Sequence, residues 1–233
     1  MESRLEKRLS RNLTFLTSYT YSKLMDYNIG PFAGETLSGD NVQNWNNLAA
    51  EKASSLADMT HRFIVNAVYE LPLARNIKGV QGKLLGGWQM AAIWSSFSGG
   101  PLGVTSNTNS NFSQGGGQRP NWNGVSPSVE NPTPSRWISA APFSNPAPYT
   151  FGTAPRTFNG TRSDGTAGLD ITFTKNTTIA ERFQLQFRAE IFNFTNSPRF
   201  APPNVVFGNP QFGVVNAQGN SPRVVQFALK LSR

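Results

Sequence analysis

Residues Arg182–Phe194 read RFQLQFRAEIFNF, with Phe183, Leu185, Phe187, Ala189 and Ile191 at every second position and Gln184, Gln186, Arg188 and Glu190 between them. Successive side chains of a strand point to opposite faces, so a period of two predicts a β-strand with one apolar and one hydrated face. The pattern returns near the C-terminus, where Val225, Phe227, Leu229 and Leu231 alternate with Gln226, Ala228, Lys230 and Ser232.

Composition sets what such strands can build. The chain has 233 residues, no cysteine, 21 glycines, 16 prolines and only 15% charged residues. That charge content is low for a soluble domain. Apolar residues are nonetheless dispersed: the longest run without a polar residue or glycine is Met90–Trp94, about five residues against the roughly 18 that a membrane-spanning helix needs. Any membrane role must therefore use strands, and a mean hydropathy of −0.37 is compatible with that, because barrel strands interleave lipid-facing with lumen-facing residues.

Four further segments carry strand patterning. They are Asn12–Lys23 (NLTFLTSYTYSK), His61–Pro72 (HRFIVNAVYELP), Leu85–Ser98 and Gly168–Lys175. At about 9 to 13 residues each, all six suit a tilted bilayer crossing. The connections between them alternate. Segments 24–60, 99–167 and a third of roughly 28 residues before the last strand are long and rich in Asn, Gly, Ser and Pro, whereas LARNIKGVQGKL and NTTIAE are short. Short turns at one end and long loops at the other are the asymmetry of outer-membrane barrels, and place the C-terminus on the periplasmic side. Tyr19, Tyr21, Tyr69, Trp88 and Trp94 lie towards strand ends, where lipid-facing rings sit at headgroup level. The expected fold is thus all-β, an antiparallel transmembrane β-barrel segment of about six strands with long extracellular loops. Six strands open in lipid would leave two unpaired edges, so either further strands are supplied upstream, which is the most economical expectation, or the chain oligomerises, or the strand count is low by two.

Other functional classes find little support. The formal charge of +8 is scattered, apart from Arg4, Lys7, Arg8 and Arg11, and comes with no nucleic-acid reader motif, so no nucleic-acid partner is expected. The absence of cysteine removes disulfide and thiol chemistry, and the single His61 leaves no His-rich metal site. Ser55, Asp58 and His61 are close in sequence, but a polar strand entry explains them better than a catalytic triad. Gly99–Gly100 and Gly115–Gly117 neither follow a strand nor open a helix, as a phosphate loop must. No enzymatic activity and no cofactor are expected. MESRLEKRLSRN has no apolar segment of a secretory signal, so the mature protein is expected to begin upstream of Met1.

SPRVVQFALKLSR, FRAEIFNFTNSPRFAPPN, MTHRFIVNAVYELP and LLGGWQMAAIWSSFSGGPLGVT together resemble the C-terminal end of the Oar-like TonB-dependent receptors, from about Asn12 onward. That resemblance implies the last strands of a 22-stranded barrel in the outer membrane of a Gram-negative bacterium. Residues 1–233 would then be the C-terminal part of the receptor barrel, with no match to its plug or N-terminal domains. The implied partners are outer-membrane lipid, the barrel-assembly machinery, the remaining strands and plug, and an inner-membrane TonB-type energy complex acting only through that plug. Val225, Phe227, Leu229 and Leu231 match the C-terminal assembly signal. Arg233 departs from it, standing where the family usually ends in an aromatic residue.

Two sets of residues remain as candidates for contact. Trp45, Trp122, Trp137, Phe143 and Tyr149 lie in the long polar segments, where rings either stack on a ligand or pack the loops together. Arg188 and Glu190 would face the barrel lumen as part of a salt-bridge network. The leading reading is the wall, loops and assembly strand of a TonB-dependent transporter. A small self-contained outer-membrane pore and a secreted carbohydrate-binding β-sandwich are the alternatives.

Overall fold

The structure is a computed structural model describing residues 1–9, 12–27, 42–44, 46–73, 77, 79–112, 118–179 and 182–233. Seven strands form one antiparallel sheet in chain order: β1 (Glu2–Leu9), β2 (Leu13–Tyr21), β3 (His61–Glu70), β4 (Trp88–Phe97), β5 (Thr166–Ile179), β6 (Phe183–Phe192) and β7 (Val224–Ser232). Each strand pairs with its sequence neighbours, as expected where strands are joined end to end by turns and loops. β1 and β7 form the two edges. With seven strands alternating in direction, these edges run the same way.

The register fixes two faces. Ala189 pairs with Phe173 on one side and Phe227 on the other, while Phe187 pairs with Lys175 and Leu229. Followed across the sheet, this phase collects Leu13, Phe15, Phe63, Val65, Met90, Trp94, Ile171 and Phe173 on the apolar face. The opposite face carries Thr172 paired with Glu190, Thr174 with Arg188, and Asn176 with Gln186. Among the described residues, no second sheet covers the apolar side: Phe227 is 71% exposed and Leu229 69%. A β-sandwich would bury that face under its other sheet, so the sandwich alternative does not describe this chain.

Six strands were expected and seven form. Residues 2–9, read above only as a basic cluster, pair with β2 from Glu2↔Thr20 to Leu9↔Leu13. β5 also extends to Ile179, shortening the following turn to residues 180–182. The connection containing NIKGVQGKL includes a short helix, α1 (Gly79–Leu85). Gly87, which follows α1, has φ +74, and a Cβ there would lie 2.6 Å from the Asn176 carbonyl oxygen, so the chain can re-enter the sheet here only as glycine. The short connections 10–12, 71–87 and 180–182 share one end of the sheet; the long ones, 22–60, 98–165 and 193–223, share the other.

The long loops fold upon each other into a cap. Leu102, Val104, Ile138, Phe143, Ala154 and Phe158 form its buried core, with Trp122, Trp137, Val205, Phe207 and Phe212 packed around them. Its segments pair as short strands: Phe143–Ser144 with Asn121–Trp122, Phe158–Arg162 with Pro101–Leu102, and Val206–Phe207 in parallel with Thr105–Ser106. At Gly99, a Cβ would lie 1.9 Å from the Ser163 carbonyl oxygen. That close approach of two chains accounts for this glycine without a phosphate-binding role.

Candidate functional site

Three arginines bind the first long loop to the second. Arg119 makes a two-pronged bond to the Glu51 carboxylate at 3.0 and 2.7 Å, with both side chains buried. Arg156, almost fully buried, donates to the backbone oxygens of Glu51 and Asp26 at 3.0 and 3.1 Å and pairs with the Asp26 carboxylate. Arg162 donates to Asp58 at 2.7 Å and to the Gly99 oxygen at 2.8 Å. A planar guanidinium suits such work because its fixed fork of donors serves a carboxylate and carbonyls together.

The charges are held by their surroundings. Burial pushes the Asp58 carboxyl up, but hydrogen bonds from Arg162, the Leu24 backbone N–H and the Thr60 hydroxyl, together with the Arg162 charge, outweigh it and hold Asp58 below the usual carboxylate value. Burial lowers the Arg119 pKa, and the opposing charge and hydrogen bonds of Glu51 offset part of that effect. Arg119 Nε is the buried side-chain nitrogen left without a partner among the described residues.

The proposed loop aromatics separate into different environments. Phe143 is buried in the cap core, in ring contact with Phe158, Phe207 and Phe212. Trp122 packs on Phe158 and donates its indole N–H to the Val125 oxygen at 2.6 Å. Trp137 packs on Phe200 and donates to the Arg162 oxygen at 2.8 Å. These three therefore pack the loops together. Tyr149 is 80% exposed and stacks on Phe112, itself 62% exposed, with ring centroids 4.7 Å apart. Both residues have positive φ, +63 and +56, a conformation that costs a bulky side chain energy and recurs at functional sites. Phe112 carried no sequence signal beyond its polar setting. Trp45 lies outside the described residues.

On the sheet, Arg188 pairs with Glu190, whose second oxygen accepts from Gln226 across to β7. Both charges lie on the polar face. Val225, Phe227, Leu229 and Leu231 share the apolar face of β7. Ser55, Asp58 and His61 do not assemble as a triad: Asp58 is engaged by Arg162, and His61 Nδ1 lies 2.8 Å from the Tyr19 hydroxyl. Gly115–Gly117 lie outside the described residues. Among the described residues, no group of three metal-ligating side chains occurs.

Aromatic contacts on the apolar face fall into two tiers. At the loop end, Tyr19 and Tyr21 pack on His61, and Phe63 on Trp94. At the turn end, Trp88 meets Phe187, which in turn stacks on Phe227 towards the middle of β7. Lys175 there lies over the Trp88 ring and donates to the Gly86 oxygen, directing its charge towards the turn. An apolar band between aromatic tiers is the surface a bilayer-spanning strand presents.

A two-faced, single-layer antiparallel sheet with turns at one end and loops at the other defines the class of membrane β-barrel walls. In agreement, residues 1–226 match the family model described as outer membrane beta barrel domain, and the chain belongs to that family. Among curated proteins and among solved structures, nothing matches it.

Proposed function

We propose that this chain is the wall, outer loops and final assembly strand of a TonB-dependent transporter of the Oar-like kind, in the outer membrane of a Gram-negative bacterium. The observation that carries the reading is the alternation of turns and folded loops along a wall whose last strand bears the apolar set Val225, Phe227, Leu229 and Leu231. β1 and β7 run in the same direction, so they cannot close the sheet by pairing antiparallel with each other; additional strands belong between them. This disfavours a self-contained pore of these seven strands.

In this role the chain does no chemistry. Arg188, Glu190 and Gln226 line the lumen as a hydrogen-bonded network facing a plug, and an inner-membrane energy complex acts through that plug. The barrel-assembly machinery reads β7. Of the loop aromatics, Tyr149 with Phe112 is the pair placed to meet a ligand, because both rings are exposed.

The test is an immunoblot of fractionated native cells with an antibody to residues 162–175, resolved on a denaturing gel. A band several times heavier than 25.5 kDa in the outer-membrane fraction supports the transporter. A 25.5 kDa band in that fraction replaces it with a smaller pore, and a soluble band removes the membrane reading.

A further inference from the structure

At the loop end of β2 and β3 the apolar face ends in a cleft of about 470 Å³, lined among others by Tyr21, Lys23, His61, Ser98, Asn159 and Arg162. Tyr21 and His61 pair across the two strands in the lipid-facing phase, so the cleft adjoins the surface that meets lipid. His61 Nδ1 lies 2.8 Å from the Tyr19 hydroxyl; if that hydroxyl is the donor, the ring proton sits on Nε2, for which no partner occurs among the described residues. Lys23 is exposed, and its ammonium has no ion-pair partner among the described residues. Arg162 directs its donors inward to Asp58, Gly99 and Asn159, which neutralises the Asp58 carboxylate behind the cleft and leaves Lys23 as its unbalanced charge.

We propose that this cleft binds the phosphate of a lipid headgroup in the leaflet that meets the loop end of the wall. The Lys23 ammonium supplies the charge, His61 Nε2 and the Tyr21 hydroxyl supply hydrogen bonds, and the lipid's chains lie along Phe63 and Trp94. Height, charge and hydrophobicity agree on that occupant. The aromatic tier of Tyr19, Tyr21 and Trp94 sets the headgroup level. A lysine just beyond a strand end extends its ammonium to that level while its stem stays on apolar surface. A free anion would use the charge alone and gain nothing from the apolar wall below.

The inference rests on the membrane reading, and its test separates the two. The protein, extracted at its natural length from its own membrane into maltoside detergent, is titrated with dioleoyl phosphatidic acid and followed by native mass spectrometry. Dioleoylglycerol serves as the lipid without phosphate. One phosphatidic acid should bind and dioleoylglycerol should not. Lys23→Gln should weaken the phosphatidic acid about fivefold, the usual worth of one lysine at an anionic membrane surface, and His61→Gln should weaken it further in combination. Heat-modifiable gel migration checks that each variant is folded. Unchanged affinity in folded Lys23→Gln overturns the proposal. Displacement of the lipid by millimolar ammonium phosphate does so too, by making the cleft a site for free anions. A protein that stays dispersed without detergent would instead fail the membrane reading itself.

Discussion

The wall and the cap of this molecule keep their apolar residues in opposite places. Among the described residues, none in the seven wall strands is fully buried, and Phe227, Leu229 and Leu231 stand open along β7. The cap buries Val104, Ile138 and Phe158 and encloses whole charges, Glu51 and Arg156 among them. Both are made from the same chain, so the difference lies in the medium each is built for. The wall borrows its core from lipid, which needs only a period of two and a continuous ladder of backbone hydrogen bonds. The cap stands in water and supplies its own core, which takes tertiary packing and neutralised charge.

The sharpest way to break this contrast is Glu51→Ala. It strands the buried Arg119 guanidinium, a defect that costs about 3–5 kcal/mol. Limited proteolysis should cut residues 98–165 far faster in the variant, with heat-modifiable migration of the wall unchanged; loss of both together would show that wall and cap fold as one unit. Phe227→Arg reverses the target. Near the bilayer midplane it should destabilise the wall by about 2–4 kcal/mol in denaturant titrations of lipid-embedded protein, leaving the proteolysis of the cap as before.

Acid gives a smaller and selective effect. Asp58 is held below its ordinary value, so its contribution to the cap is complete above the unfolded carboxylate range near pH 4 and is lost as pH falls through the lower folded-state value. Hydrogen exchange at Leu24, whose N–H donates to Asp58, should accelerate in that acid window for the native protein. In Asp58→Asn the acceleration should be absent. The smallest effect is expected from Arg233→Phe: stability should change by no more than about 1 kcal/mol, as for a residue near the interface, while the yield of assembled protein rises. A stability change well above that would place Arg233 deeper in the bilayer than a strand end.

How much of each region was legible in the sequence follows from the same contrast. β6 and β7 could be read directly because a strand in lipid needs its apolar residues in strict alternation, and Phe183 to Ile191 and Val225 to Leu231 obey it. β1 escaped because residues 2–9, ESRLEKRL, carry no sustained alternation of apolar and polar residues. The cap had no period to read. Its core residues are scattered from Leu102 to Phe158 among turn-forming residues, and Glu51 and Arg119, 68 positions apart, carry no local sign that they meet. For the aromatics the sequence left two roles open. Burial assigned Phe143 to packing, and ring contacts and indole hydrogen bonds did so for the half-buried Trp122 and Trp137, while the exposed stack of Tyr149 drew in Phe112, which had not been singled out.

The shared direction of β1 and β7 imposes a parity rule on this architecture. Whatever lies between those edges in a closed antiparallel barrel must contribute an odd number of strands, so such a barrel can widen or narrow only by whole hairpins. Excising β1 and β2 together would keep an even barrel with a smaller bore, whereas removing β1 alone would bring two strands of like direction side by side and leave a seam.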